Sequence, residues 1–167
     1  MALYMKGPFL ILLFCVLCGG KEDDVEIFDV LSVVRDGELP EGMVRSLGRC
    51  QSATTPPANY SAYSFNENAT LHQLAAAMFY NTFPEDFSII AVVRVPDAEQ
   101  RPLFVWYSDS GDEQLQLVVG KYIELFYEDT RGDPPDEDPL TFQVSVADNR
   151  WHRLAISIKG NSVTLIL

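Results

Sequence analysis

From residue 87 onward the chain is a succession of short apolar runs, each closed by turn chemistry, and this pattern narrows the fold more than any other feature. The runs cover residues 87–95, 103–107, 114–119, 122–127, 141–146, 151–159 and 162–167. They are rich in Val, Ile, Phe, Tyr and Trp, which suit a pleated, half-buried surface. Ser110-Gly111-Asp112, Gly120-Lys121, Asp148-Asn149 and Gly160-Asn161 separate them. Short strands at regular spacing with such punctuation predict an all-β antiparallel sandwich. In 151–159, His152, Leu154, Ile156 and Ile158 alternate with Arg153, Ala155 and Ser157, giving one buried and one more polar face. Lys159-Gly160-Asn161-Ser162 holds the glycine and asparagine of a tight hairpin.

Upstream the pattern changes. Val25, Phe28, Leu31 and Val34 fall at helical spacing, which predicts a short N-terminal helix over 25–35. Asp36-Gly37 and Leu39-Pro40-Glu41-Gly42 end it. Residues 50–70 are rich in Ser, Thr, Pro, Ala and Asn and read as a surface loop with one strand near 60–65. The first twenty residues have the anatomy of a secretory signal: Lys6, an apolar run over 9–17, then small residues at Cys18-Gly19-Gly20. The run is too short to cross about 30 Å of hydrocarbon, so no membrane anchor is expected. The expected division is therefore a signal over 1–20, cut after Gly20, and one secreted domain over 21–167.

Net charge excludes one class of partner. The chain carries 24 acids against 12 bases, a formal charge of −12, and removing the leader takes Lys6 and no acid. A nucleic-acid binder needs a basic face to displace phosphate counterions, so that function is not expected. Ten glycines leave no room for a Gly-X-Y triple helix within these residues. His72 and His152 are the two histidines, and with one cysteine left after the leader they assemble no zinc site. There is no nucleophile elbow and no phosphate-cradling glycine loop.

The cysteine count is odd. Cys15 and Cys18 belong to the leader, so Cys50 stays alone in an oxidising compartment, where pairs are the rule. A free thiol, an intermolecular disulfide and a partner beyond the chain's end all account for it. The last residues, NSVTLIL, read as a buried strand. A strand edge needs a partner, so the domain is expected to continue past Leu167.

Four stretches carry a resemblance: Phe83-Pro84-Glu85-Asp86-Phe87-Ser88-Ile89, Leu125-Phe126-Tyr127-Glu128-Asp129, Asp148-Asn149-Arg150-Trp151-His152-Arg153-Leu154-Ala155-Ile156-Ser157, and Val163-Thr164-Leu165-Ile166-Leu167. In this order and spacing, residues 25–167 resemble the thrombospondin N-terminal-like, laminin-G-like domain at the amino end of collagen α chains, the type V and XI fibrillar group above all. The resemblance implies a concanavalin-like jelly roll whose last strands are missing here. It also implies that Cys50 pairs with a cysteine just downstream of the VTLI strand. The function it implies is that of a non-enzymatic, extracellular-matrix structural constituent. Such a module sits in the amino propeptide, takes part in fibril assembly and meets other collagen chains and matrix proteins. Heparan sulfate binding, found in some members, is not expected, because Arg94, Arg101, Lys121, Arg131, Arg150, Arg153 and Lys159 are scattered among the acids.

Other candidate sites stand beside plainer readings. Asn59-Tyr60-Ser61 and Asn68-Ala69-Thr70 are N-glycosylation sequons in a secreted chain. Arg131-Gly132-Asp133 matches an integrin-type attachment tripeptide, but it reads first as an ordinary glycine turn. Asp109, Asp112 and Glu113, and the acids from Glu128 to Asp138, offer oxygens for calcium, but lack EF-hand spacing and read first as solvated loops. The alternative function is a stand-alone laminin-G or thrombospondin-like module that binds glycans or cell-surface proteins. A jelly-roll glycan hydrolase would need two carboxylates about 5–10 Å apart in a cleft. Glu124 and Glu128 sit four residues apart on a predicted strand, about 13 Å, so no enzyme is expected.

Overall fold

The computed structural model describes residues 2–6, 27–35, 37–50, 58–74, 86–128 and 138–167. The chain is all-β, as the strand pattern predicts. The described strands are β1 (Ala2–Lys6), β2 (Met43–Cys50), β3 (Ala58–Phe65), β4 (Thr70–Leu74), β5 (Phe87–Arg94) and β6 (Arg101–Tyr107), followed by β7 (Glu113–Val119), β8 (Ile123–Tyr127), β9 (Leu140–Phe142), β10 (Trp151–Lys159) and β11 (Ser162–Ile166). They form a six-stranded sheet in the order β4-β1-β6-β7-β8-β9, a three-stranded sheet β11-β10-β5, and the hairpin β2-β3. Every pairing is antiparallel.

The two larger sheets bury their inner faces in one core. Trp106, Leu117 and Ile123 come from the six-stranded sheet, and Val93, Leu154 and Ile156 from the three-stranded one. Phe87 of β5 meets Tyr127 of β8 edge-on, with ring centroids 5.9 Å apart, tying sheet to sheet. In β10 the predicted alternation is the observed one: Leu154, Ile156 and Ile158 are buried, while Arg153 and Lys159 are exposed. Gly160 turns the β10–β11 hairpin with φ 52°, as a tight turn requires.

The predicted helix over 25–35 narrows to a 3₁₀ helix, Val30–Val34. Its composition explains the shortness: Val30, Val33 and Val34 are β-branched and resist a helical run. Asp29 caps the start, its Oδ1 accepting from the Leu31 amide at 3.0 Å. Val30, Leu31 and Val34 plug the core. At the other end the Arg45 guanidinium donates to the carbonyls of Arg35 at 2.7 Å and of Val34 and Gly37 at 3.3 Å. The Tyr63 hydroxyl also donates to the Val34 carbonyl.

Three further points need correction. The predicted strand over 141–146 stops at Phe142, and Val146 is instead held by its amide on the Gly120 carbonyl at 3.2 Å. Residues 43–50 form a strand that the sequence reading missed, because its polar residues follow no strict alternation. Residues 58–65 and 70–74 are strands where a loop with one short strand was expected. Residues 2–6, which the sequence places in the leader, form β1 in the unprocessed chain. The rest of the leader lies outside the described residues.

Candidate functional site

Asp148-Asn149-Arg150-Trp151-His152 makes the sharpest polar corner, at the entry to β10. Asn149 takes the left-handed backbone, φ 60°, and its amide donates to the Val95 carbonyl at 2.9 Å. Asp148 Oδ1 then receives the Arg150 amide at 2.9 Å and lies 2.7 Å from His152 Nε2. The His152 contact, with the Arg150 amide, holds the Asp148 carboxyl below its ordinary range. Arg94 of β5 lies over the Trp151 ring, 5.4 Å from its centroid. His152 is thus a half-buried residue of β10, with a carboxylate partner four residues upstream.

A second polar loop closes β6 to β7. Ser110 Oγ donates to Asp112 Oδ2 at 2.5 Å and sits 2.7 Å from Ser108 Oγ, which accepts the Asp112 amide. The loop satisfies itself. Glu113, next along, is half-buried, and burial pushes its carboxyl up. Among the described residues no three His, Cys, Asp or Glu side chains are grouped to hold a metal ion. The acids from Asp129 to Glu137, the other half of the calcium expectation, lie outside the described residues.

Arg101, at the start of β6, is largely buried and holds Asp97 through both carboxylate oxygens and Glu99 at 2.7 Å. That guanidinium, before other causes, keeps the Asp97 carboxyl below its ordinary value. Gln100 acts as a short stretch of strand. Its Oε1 accepts the Tyr122 amide at 3.1 Å, while its Nε2 donates to the Tyr122 carbonyl and to Glu124 Oε2 at 2.8 Å. Glu124, half of the pair weighed for hydrolysis, is so tied to Gln100, and Glu128 lies just past the end of β8.

The other sequence candidates separate. Asn68 is exposed in the β3–β4 turn, its amide donating to Asn66 Oδ1 at 2.9 Å. Asn59 lies within β3, opposite Arg49, rather than in a loop. Cys50 ends β2, opposite Ala58. His72 is exposed on β4, far along the chain from His152. Arg131-Gly132-Asp133 lies outside the described residues. Among the described residues no helix is long and apolar enough to cross a membrane.

The stretches that carry the resemblance converge. Asp86 Oδ1 accepts the Gly160 amide at 2.8 Å, joining the FPEDFS stretch to the β10–β11 turn. Ser88 Oγ bonds Ser157 Oγ at 3.0 Å across the β5–β10 ladder. Asp86 as a clamp on the turn and Gln100 as a strand mimic were missed by sequence reading. Their partners lie 74 and 22 residues away, beyond any local pattern. No family model matches the chain, and no solved structure matches it.

Proposed function

We propose that the chain is a secreted, non-enzymatic structural module of the extracellular matrix, the amino-terminal non-collagenous part of a fibrillar collagen of the type V and XI group. One observation supports this reading above others. The residues that carry the resemblance are spent on one another, Phe87 on Tyr127, Ser88 on Ser157 and Asp148 on His152, and Asp86 is spent on the Gly160 turn beside them. Such residues build a scaffold, and a module of this kind acts through its surface rather than through a reacting group. That surface is strongly acidic, which suits assembly with basic or neutral matrix partners and disfavours polyanions such as heparan sulfate. Asn68, exposed in a turn, is the sequon best presented for glycosylation.

Sequencing the complete transcript tests the reading. A long Gly-X-Y tract following the codon for Leu167 is the expected result. A transcript without one would remove the collagen assignment and leave the stand-alone module. Leader removal is read separately, from the N-terminal residue of the secreted protein, expected to be Lys21.

A further inference from the structure

Ser110-Gly111 is the one Ser-Gly dipeptide in the chain, and acids stand on both sides of it: Asp109 before, Asp112 and Glu113 after. It forms the tip of the turn from β6 to β7. The Ser108 amide donates to the Asp112 carbonyl at 2.8 Å and the Gly111 amide to the Ser108 carbonyl at 3.2 Å, so the turn is closed on itself. Asp109, Ser110, Gly111 and Asp112 are all exposed. Gly111 takes φ 91°, and a Cβ built on it would meet nothing within 4 Å. The C-terminal flank of Ser110 is therefore open space, kept so by a backbone conformation that favours glycine.

Ser88 and Ser157 spend their hydroxyls on each other across the β5–β10 ladder. Ser110 differs, because its bonds stay inside the exposed turn: Oγ donates to Asp112 Oδ2 at 2.5 Å and lies 2.7 Å from Ser108 Oγ. With the carboxylate holding the hydroxyl hydrogen, oxygen lone-pair density is left for an incoming electrophile. Two group transfers suit an exposed serine among acids, and charge decides between them. A phosphate would bring about −1.5 to −2 charge against Asp109 and Asp112, a like-charge placement that disrupts. A sugar is neutral, and the acids then serve as the footprint by which a basic transferase groove holds the turn. The glycine leaves room for the sugar nucleotide beside the hydroxyl. Transferases that begin glycosaminoglycan chains take serines in this setting, followed by glycine and flanked by acids.

We propose that Ser110 is a glycosaminoglycan attachment site, xylosylated from UDP-xylose and extended there into a sulfated polysaccharide. In the first step Ser110 Oγ bonds to C1 of the xylose and the C1–oxygen bond to UDP breaks. UDP leaves with the electron pair, and the hydroxyl proton passes to a base of the transferase. The attached polyanion extends the acidic surface outward toward basic matrix partners. The assignment rests on the reading that the chain is secreted, because the sugar is added in the secretory pathway, and the experiment separates the two.

The purified full chain is incubated with a peptide O-xylosyltransferase and radiolabelled UDP-xylose, a measurement independent of secretion. The expected result is a single pentose, located on Ser110 by fragmentation mass spectrometry, lost in Ser110→Ala and kept in Ser108→Ala. Asp112→Asn combined with Glu113→Gln keeps the side-chain shapes, removes two charges and should lower the labelling several-fold. An unlabelled full chain, or label that persists in Ser110→Ala, overturns the site. Equal labelling of the double variant overturns the part given to the acids. The full chain is then expressed in cultured animal cells. The secreted protein should run as a broad band of high mass that chondroitin or heparin lyase collapses, and Ser110→Ala should run as a sharp band without either enzyme. A secreted chain with Ser110 bare, or carrying phosphate, overturns the assignment. A chain that accepts xylose in the purified reaction but stays inside the cell overturns the secreted reading instead, the acceptor having been read without it.

Discussion

In β10, Leu154 and Ile156 are 0% exposed, and their neighbours alternate outward along the ladder to β5 and β11. In β2, Val44 is 62% and Leu47 73% exposed, and among the described strands β2 pairs with β3 alone. Both regions are antiparallel ladders, yet different forces hold them. The β5–β10–β11 sheet is held by apolar side chains facing a second sheet. The β2–β3 hairpin buries Met43, Tyr63 and Phe65, and otherwise depends on the Asn66 amide bonding the Gly42 carbonyl and on polar ties to the 3₁₀ helix. A ladder alone is marginal in water, so each region needs its outside support.

The largest expected effect tests the first half of this contrast. Ile156→Ala should cost about 2–5 kcal/mol by chemical denaturation, the range for a fully buried aliphatic truncation. Leu47→Ser should stay within about 0.5 kcal/mol, as exposed substitutions do. Equal losses would abolish the distinction between the two ladders.

The next effect belongs to the turn that leads into β2. Gly42 takes φ 80°, and a Cβ there would lie 2.5 Å from the Ala69 amide nitrogen. Gly42→Ala therefore meets both a left-handed backbone and a clash, and should cost about 2–4 kcal/mol. Gly160→Ala, at φ 52° with nothing within 4 Å of its would-be Cβ, bears the backbone cost alone, about 1–2 kcal/mol. Paired thermal melts of the two variants would show whether the β2 turn is the more exacting one.

Arg45→Met keeps the aliphatic stem and removes the donors to three carbonyls beyond the 3₁₀ helix. A loss of about 1 kcal/mol is expected, since the donors are exposed and water replaces part of what is lost. Faster hydrogen exchange confined to residues 31–35 and 43–47 would place the effect in this region, whereas a change spread over β10 would contradict it.

The smallest effect is set by pH. Burial raises the Glu113 carboxyl above its ordinary 4.5, so the folded chain holds that proton more tightly than the unfolded one. Its contribution to stability is full below 4.5 and is lost as pH rises through the raised value. Glu113→Gln should then match the parent in acid and exceed it slightly at neutral pH. Asp97 and Asp148, both lowered, work in the opposite sense, their contributions being lost as pH falls through and below the ordinary 3.8. A Glu113→Gln chain with no gain at neutral pH would remove burial as the cause of the shift.

The same contrast explains what was legible beforehand. Residues 87–95, 151–159 and 162–167 announce strands because period-two alternation and β-branched residues coincide there. β2 reads MVRSLGRC, where Gly48 and three polar residues break the alternation, and nothing local marks it as a strand. The polar corner behaves likewise. That His152 belongs to a packed strand was readable, whereas Arg94 over Trp151 was not, because the β5–β10 register brings them together.

The sequence by itself determined the class of fold and the buried face of its main strands, because alternation and turn chemistry are local properties of the chain. It also marked the acidic surface and the sequon at Asn68. Only the tertiary structure decided that Asp86 would clamp the Gly160 turn, that Gln100 would stand in for a strand, and that Ala2–Lys6 would lie between β4 and β6. Each depends on backbone groups whose partners lie far along the chain, and no local pattern marks which edge a strand will meet.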